Sequence, residues 1–405
     1  MGKTVKFGII GCGLMGKEFA SAAARWCHLS GDIPAPEIIA VCDVAPANLE
    51  WFDRNLPGLR HRFSDYRDLL ALKDVEAVYC AVPHSLHQEL YTAIIRSGKH
   101  LLGEKPFGID KAANQAILDE LASHPGVFAR CSSEFPYYPA ARILANWMAE
   151  GKFGRIIEAR FAMGHSSDMD LAKPINWKRV AKINGEYGCM GDLGIHTEHL
   201  PFRAGWVPVD VCAKLSKLVE TRPDGKGGTA ACDTWENAIL LCGMRDAKGV
   251  GFPATFEMKR MSPGCTNAVQ YEVYGMDMSA RFSTDDPNAL QFTTSWGKEQ
   301  AWSRIVVGHK PLFPTITGGI FEFGFSDGIL QMWAAFMAEL SGMAVEYGCF
   351  TPEETRMSHA LQTAALASQR NGSVEARFAL FFDSRSMRFV DSDITAVEPY
   401  PMEIL

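Results

Sequence analysis

Two hydropathy patterns divide the chain. From Val5 to about Cys131, short apolar runs alternate with stretches of helical spacing. The runs are Val5–Ile10, Glu37–Cys42, Ala77–Ala81, His100–Leu102 and the stretch GVFARC. The helical stretches are Gly16 to about Cys27, Ala47–Asn55, Asp65 to about Leu72, about Leu86 to Ser97, and Asp110 to about Ala122. Strands that are apolar throughout and separated by helices predict a parallel sheet covered on both faces. After Cys131 a helix over Pro139–Glu150, closed by Gly151, leads into longer runs of period-two character: IIEARFAM, AILLC, ATFEMKRM and VQYEVYG. Several follow one another without helices, which predicts a mostly antiparallel sheet with one buried face. Helical spacing returns near Asp327–Leu340 and again after Thr351-Pro352-Glu353-Glu354. That tetrad is an N-cap, a proline at the first helical position and a glutamate three residues past the cap. Its helix runs to about Gln369, and residues 373–405 form an added segment with one apolar stretch, RFALFF.

A chain of 405 residues exceeds what one core usually serves. The expected organisation is 1–131, 132–372 and a C-terminal extension, 373–405. The net charge of -7 and the absence of a basic run exclude a broad nucleic-acid footprint. No run approaches the roughly 20 apolar residues of a membrane span, and the N-terminus enters a strand at once, leaving no room for a signal peptide. The 11 cysteines include no CxxC pair, and Cys42, Cys80 and Cys242 sit in apolar runs. They read as reduced thiols of a cytoplasmic protein. No zinc-type spacing appears, so no metal is expected.

The first chemistry lies in GCGLMG, residues 11–16. A plain glycine-rich turn also yields GxGxxG, but here the motif follows a strand and opens a helix. That arrangement aims backbone N–H groups and the helix dipole at a pyrophosphate. Gly11 permits the tight turn, Gly13 lets a ligand approach, Gly16 lets helix and strand pack, and Leu14 and Met15 complete the cradle. The second strand ends at Asp43, whose carboxylate suits ribose hydroxyls and repels a 2′-phosphate, so NAD is favoured over NADP. Its distance from Gly16 exceeds the usual spacing, and CHLSGDIPAP accounts for the excess as a loop.

Three further stretches carry candidate groups. Pro83 and His84 leave the C-terminal edge of the parallel sheet, where ligands bind; a solvated loop histidine is the alternative reading. His87 reads as a structural or helix-start residue. GEKPFG sets Lys105 between Glu104 and a stiffening proline at the end of a buried strand, where a lysine can hydrogen-bond an alkoxide. In GDLGIHTEH, Asp192 and His196 are four apart and share a face if helical. A carboxylate beside an imidazole orients it as a general base. An N-cap aspartate with a core histidine, and a metal pair with His199, are the alternatives.

In this order and spacing, GxGxxG, EKP and D-L-G-x-H resemble the Gfo/Idh/MocA oxidoreductases, over about 1–372. TWENAI and YEVYG also look like second-domain strands of that family. The resemblance implies an α/β fold: an N-terminal Rossmann domain with a parallel sheet, then an α/β domain with an open, mostly antiparallel sheet. That sheet commonly forms the interface of a homo-oligomer, a dimer or tetramer. It implies hydride transfer from a sugar or polyol carbon to NAD, with Lys105 polarising the hydroxyl, His196 taking its proton and Asp192 orienting His196. A redox-neutral NAD-dependent glycosidase, working by transient C3 oxidation and elimination, would use the same groups. A non-catalytic dinucleotide-binding regulator would be expected to lack them. Two segments depart from the family pattern, SSEFPYYPA around Glu134 and NGEYGCMGD around Glu186. In INWKRV, Trp177 offers an aromatic face and Arg179 a donor for a sugar ring, with ordinary packing and a surface arginine as the alternatives. Tyr137 and Tyr138 are weaker candidates.

Overall fold

The computed structural model describes residues 4–294, 296–297 and 299–377, and by backbone the strands at 380–383, 388–391 and 395–396. In the first third, strands and helices alternate as the apolar runs predict. They are β1 (Thr4–Ile10), α1 (Leu14–Ala24), β2 (Ala35–Cys42), α2 (Pro46–Asn55), β3 (His61–Phe63), α3 (Tyr66–Ala71), β4 (Ala77–Cys80), α4 (His87–Arg96), β5 (His100–Gly103), α5 (Lys111–Ala122) and β6 (Ala129–Cys131). The six strands lie in the order β3-β2-β1-β4-β5-β6, every pairing parallel. This is the Rossmann order, with the switch between β1 and β4.

The chain continues through α6 (Pro139–Ala149), β7 (Ile156–Gly164), α7 (Ala181–Asn184) and α8 (Cys189–Arg203). Then come β8 (Val207–Ser216), the short pair β9 (Thr221–Pro223) and β10 (Thr229–Ala231), β11 (Asn237–Arg245), β12 (Gly251–Lys259), β13 (Ala268–Gly275), β14 (Ser279–Ser283), β15 (Ala289–Thr293) and β16 (Ser303–Val306). Helices α9 (Phe325–Leu340) and α10 (Pro352–Arg370) follow, and then β17 (Ala376–Arg377), β18 (Leu380–Asp383), β19 (Arg388–Asp391) and β20 (Thr395–Ala396). A ten-stranded sheet runs β16-β15-β14-β13-β7-β12-β11-β8-β17-β20. From β15 across to β20 the pairings are antiparallel except β7 with β12. The four period-two runs are β7, β11, β12 and β13. Their inner residues, Phe161, Leu240, Phe256 and Tyr271 among them, are buried on the face that carries α8. Of the RFALFF stretch, Phe378 and Ala379 lie outside the described residues.

Compactness divides the chain differently from the three-segment reading. One unit is Met1–Arg142 with Pro287–Ala289 and Val306–Thr355; the other is Ile143–Asp286 with Leu290–Ile305 and Arg356–Leu405. The late helix α9 therefore belongs to the first unit, where Trp333 stacks on Phe19 at 3.6 Å between ring centroids and meets Tyr79 edge-on at 4.7 Å. The proposed cap of α10 forms in both directions. Thr351 N–H donates to Glu354 Oε2 at 2.7 Å, and Glu354 N–H donates to Thr351 Oγ1 at 3.2 Å. All 11 cysteines are free thiols. Among the described residues no helix is long and apolar enough to cross a membrane.

Candidate active site

The glycine loop follows directly from β1. Gly11 takes φ +94°, and a Cβ there would lie 2.1 Å from the Ala81 carbonyl oxygen, so only glycine fits. Gly16 packs the helix against the loop, since its Cβ would meet the Gly11 oxygen at 2.4 Å. Gly13 is different. Its backbone is ordinary, φ -71°, and no protein atom lies within 4 Å of where its Cβ would be. Gly13 is the N-cap, so α1 begins at Leu14, two residues earlier than the apolar spacing predicts. No side chain caps this end, and Leu14 is 74% exposed. The first-turn N–H groups of Leu14 and Met15 point outward from a helix N-terminus, which suits a pyrophosphate.

Asp43 follows β2 and is fixed against this loop. Its Oδ2 accepts from Cys12 N–H at 2.8 Å and Asn48 Nδ2 at 3.1 Å, and its Oδ1 accepts from Ala45 N–H at 2.8 Å. A carboxylate has about four acceptor positions, so one remains for a ribose hydroxyl. The donor set and the cradle fit NAD.

At the end of β4, His84 is 2% exposed, which rules out the solvated-loop reading. His87 opens α4 and braces the neighbouring turn. Its Nε2 lies 3.1 Å from the Val82 carbonyl oxygen, its Nδ1 accepts from Gly108 N–H at 3.3 Å, and its ring stacks on Tyr91 at 4.7 Å. The turn after β5 holds Glu104 and half-buried Lys105, with a cis peptide bond from Lys105 to Pro106. Tyr79 donates to Glu104 Oε1 at 2.6 Å, and Tyr91 donates to the Glu104 carbonyl at 2.8 Å. Asn114 donates to the Phe107 carbonyl at 2.9 Å. These bonds fix the backbone on both sides of Lys105. Glu134 is a second buried carboxylate near this turn. Burial, and then the Glu104 charge, push it up to about 7, while Lys105 pulls the other way. Tyr137 and Tyr138 are buried in the same unit; the Tyr137 hydroxyl meets Cys349 Sγ at 3.5 Å.

The second unit holds the other candidate groups on α8. Gly188 is the N-cap, at φ +59°, where a Cβ would meet Trp235 N at 2.7 Å. Asp192 thus lies inside the helix, which removes the N-cap reading. Asp192 and His196, 1% and 4% exposed, are one turn apart, and Tyr271 donates to the His196 carbonyl at 2.6 Å. Among the described residues no group of three or more His, Cys, Asp or Glu is placed to hold a metal.

Two partners of Asp192 escape sequence reasoning. Lys178 Nζ lies 3.0 and 3.2 Å from its two oxygens, and Arg260 pairs with it from the interior. Burial and neighbouring Arg179 pull the Arg260 guanidinium down to about 9, with Asp168 working the other way. Arg179 corrects the expectation made for it. It is 1% exposed and its guanidinium pairs with Asp168, so it is a core ion pair rather than a donor presented to a ligand. Lys178 is the cation of INWKRV that reaches α8, and its Nζ is 5.7 Å from the ring centre of half-buried Trp177. The structure brings Gly11, Gly13, Gly16, Asp43, His84, Glu104 and Lys105 into the first unit, and Trp177, Asp192 and His196 into the second.

Residues 5–130 match the model of an oxidoreductase family with an NAD-binding Rossmann fold. Levoglucosan dehydrogenase of Pseudarthrobacter phenanthrenivorans is 26% identical over 304 residues, 71% of this chain and 76% of that protein. Glucose-6-phosphate 3-dehydrogenase of Bacillus subtilis is 26% identical over 222 residues, 54% of this chain and 60% of that protein. Among solved structures, levoglucosan dehydrogenase in complex with NADH and L-sorbose has a TM-score of 0.79 at 21% identity, covering 96% of this chain and 99% of that one. An inositol dehydrogenase homolog from Azotobacter vinelandii, complexed with NAD+, has a TM-score of 0.73 at 15% identity, covering 92% and 97%. At these identities the likeness to the solved structures is one of fold.

Proposed function

We propose that the chain, whose residues 5–130 match the model of an oxidoreductase family with an NAD-binding Rossmann fold, is a Gfo/Idh/MocA oxidoreductase that oxidises a secondary hydroxyl of a sugar, glycoside or cyclitol with NAD. The observation that carries this is the placement of Asp192 and His196 one turn apart on α8, with Asp192 paired to Lys178 and Arg260. A carboxylate between two cations stays ionised. One turn away, it orients the imidazole and favours its protonated form, as a general base requires. His196 takes the hydroxyl proton. In the first unit, the Lys105 ammonium is the group that would stabilise a developing alkoxide. The backbone of Gly11, Gly13, Leu14, Met15 and Gly16 holds the pyrophosphate, and Asp43 holds the adenosine ribose. Bound NAD supplies the hydride acceptor. The relatives' names, levoglucosan, glucose 6-phosphate and inositol dehydrogenases, support the substrate class.

The test is an NAD-reduction screen over levoglucosan, inositols, aldoses and aryl glycosides, repeated with NADP. At least one compound is expected to reduce NAD, and NADP to serve far less well because of Asp43. Lys105→Ala and His196→Ala are expected to keep the fold by circular dichroism and lose about 10³-fold in kcat. Full turnover by His196→Ala would remove its role as base. Aglycone release without net NADH would replace net oxidation with redox-neutral cleavage, and NAD binding with no turnover of any kind would make the chain non-catalytic.

A further inference from the structure

Behind Asp192 the second unit buries a row of alternating charge. Lys178 Nζ pairs with Asp192 at 3.0 Å, and Arg260 takes the same carboxylate from inside. The other arm of Arg260, Nη1, lies 3.8 Å from Asp168 Oδ2, on which Arg179 also closes. Arg260, Asp168 and Arg179 are each 2% exposed or less, whereas the Lys178 side chain is one-third open at 33%. Arg222 anchors the Asp168 segment by its backbone, donating to the Asp168 carbonyl at 2.6 Å and to the Asp170 carbonyl at 2.7 Å.

Stability alone is a poor reason for this row. Removing charges from water costs more than an ion pair of imperfect geometry returns, and apolar side chains of the same volume often serve a core as well or better. The geometry here is incomplete. Among the described residues, the Nε atoms of Arg260 and Arg179 have no hydrogen-bond partner. What the row does is end on α8, at the carboxylate one turn before His196. Lys178 by itself could not fix that carboxylate, because an ammonium one-third open to solvent on a flexible stem is screened and mobile. A guanidinium is planar and rigid, and wedged between two carboxylates it has one place to sit.

We propose that Arg260 is a positioning residue for the Asp192–His196 pair: held between Asp168 and Asp192 inside the second unit, it fixes the carboxylate that orients His196, while Lys178 covers the same carboxylate from the solvent side. This rests on the proposed roles of Asp192 and His196. Arg260 is 2% exposed and acts through Asp192.

The test compares Arg260→Met, Arg260→Lys and Lys178→Met by steady-state kinetics on the compound found in the screen. NAD affinity and the ring-nitrogen NMR shifts of His196, assigned by their loss in His196→Asn, are measured alongside. Arg260→Met is expected to melt cooperatively, to keep its NAD affinity, and to lose about 100-fold in kcat with a KM changed by less than about threefold. Its His196 ring shifts move, and Arg260→Lys recovers at least about a tenth of the lost activity. Lys178→Met is expected to lose less than Arg260→Met. A kcat within about threefold of wild type in Arg260→Met overturns the proposal. If Arg260→Met does not fold, Asp168→Asn decides in its place. A loss of about tenfold in kcat at unchanged NAD affinity supports the proposal, and full kcat overturns it. If the wild type turns over no compound, the dehydrogenase reading fails separately, and the ring shifts decide for Arg260. Shifts that stay where they are in both Arg260→Met and Asp168→Asn overturn its role.

Discussion

Single residues in the glycine loop serve two different masters. Gly11 is required by the chain itself, through its positive φ and the Ala81 carbonyl 2.1 Å from any Cβ. Gly13 is required by nothing in the chain, since its backbone suits any residue and its Cβ direction is open. The two substitutions should therefore separate. Gly11→Ala is expected to cost more than about 2 kcal/mol of stability. Gly13→Val is expected to melt within about 1 kcal/mol of wild type while weakening NAD binding at least tenfold, roughly the effect of obstructing one close backbone contact. Thermal melts and an NAD titration on the same preparations check both; unimpaired NAD binding by Gly13→Val would remove Gly13 from the cradle. The glycines and Asp43 were legible because each answers a demand local to one turn. Lys178 and Arg260 were not. Which of the adjacent cations of INWKRV turns inward is decided by the single helical turn Trp177–Arg179. Arg260 comes to Asp192 only through the pairing of β12 beside β7 and β11 under α8.

At the scale of elements, α8 and α10 meet through buried polar groups. Ser358 and Gln362 both donate to the Glu198 carboxylate, Gln362 at 3.3 Å. Burial lifts this carboxyl to about 7, while the two hydrogen bonds work the other way. An unfolded glutamate titrates near 4.3, so between about pH 4.3 and 7 the folded chain keeps a proton that the unfolded chain has released. The contribution is full below about pH 4.3 and is lost as pH rises through about 7. Glu198→Gln is expected to remove that decline and to gain up to about 3 kcal/mol above neutral pH. Urea unfolding near pH 5 and near pH 8 reads it, and an unchanged pH dependence in the variant would count against the helix contact as its source. Elements with long periodic patterns were legible from sequence: β7, β11, β12, β13 and the capped start of α10. β3 and β16, at three and four residues, carry too little pattern to be read. The helical character of α9 was legible, but its docking on α1 was not, because amphipathic spacing names a buried face without naming what buries it.

At the scale of the molecule, the outer face of the ten-stranded sheet is the surface to test for assembly. Along β11 the inward residues Ala238, Leu240 and Cys242 are buried, while Ile239 and Leu241 are 43% and 55% exposed. Ile157 on β7 is 52% exposed. We expect a dimer or tetramer formed through this face, as the family resemblance implies. Light scattering after gel filtration is expected to show the oligomer for wild type and smaller species for Leu241→Glu, at unchanged NAD affinity. A monomeric wild type would refute it.

The return of residues 306–355 to the first unit has a consequence for biosynthesis. The parallel sheet and its glycine loop leave the ribosome early, yet the aromatic rings that close over Phe7, Phe19 and Tyr79 belong to Trp333 and Phe336. These are translated only after most of the ten-stranded sheet. The nucleotide-binding half is therefore expected to complete its aromatic core only after α9 has been made, rather than in order of synthesis.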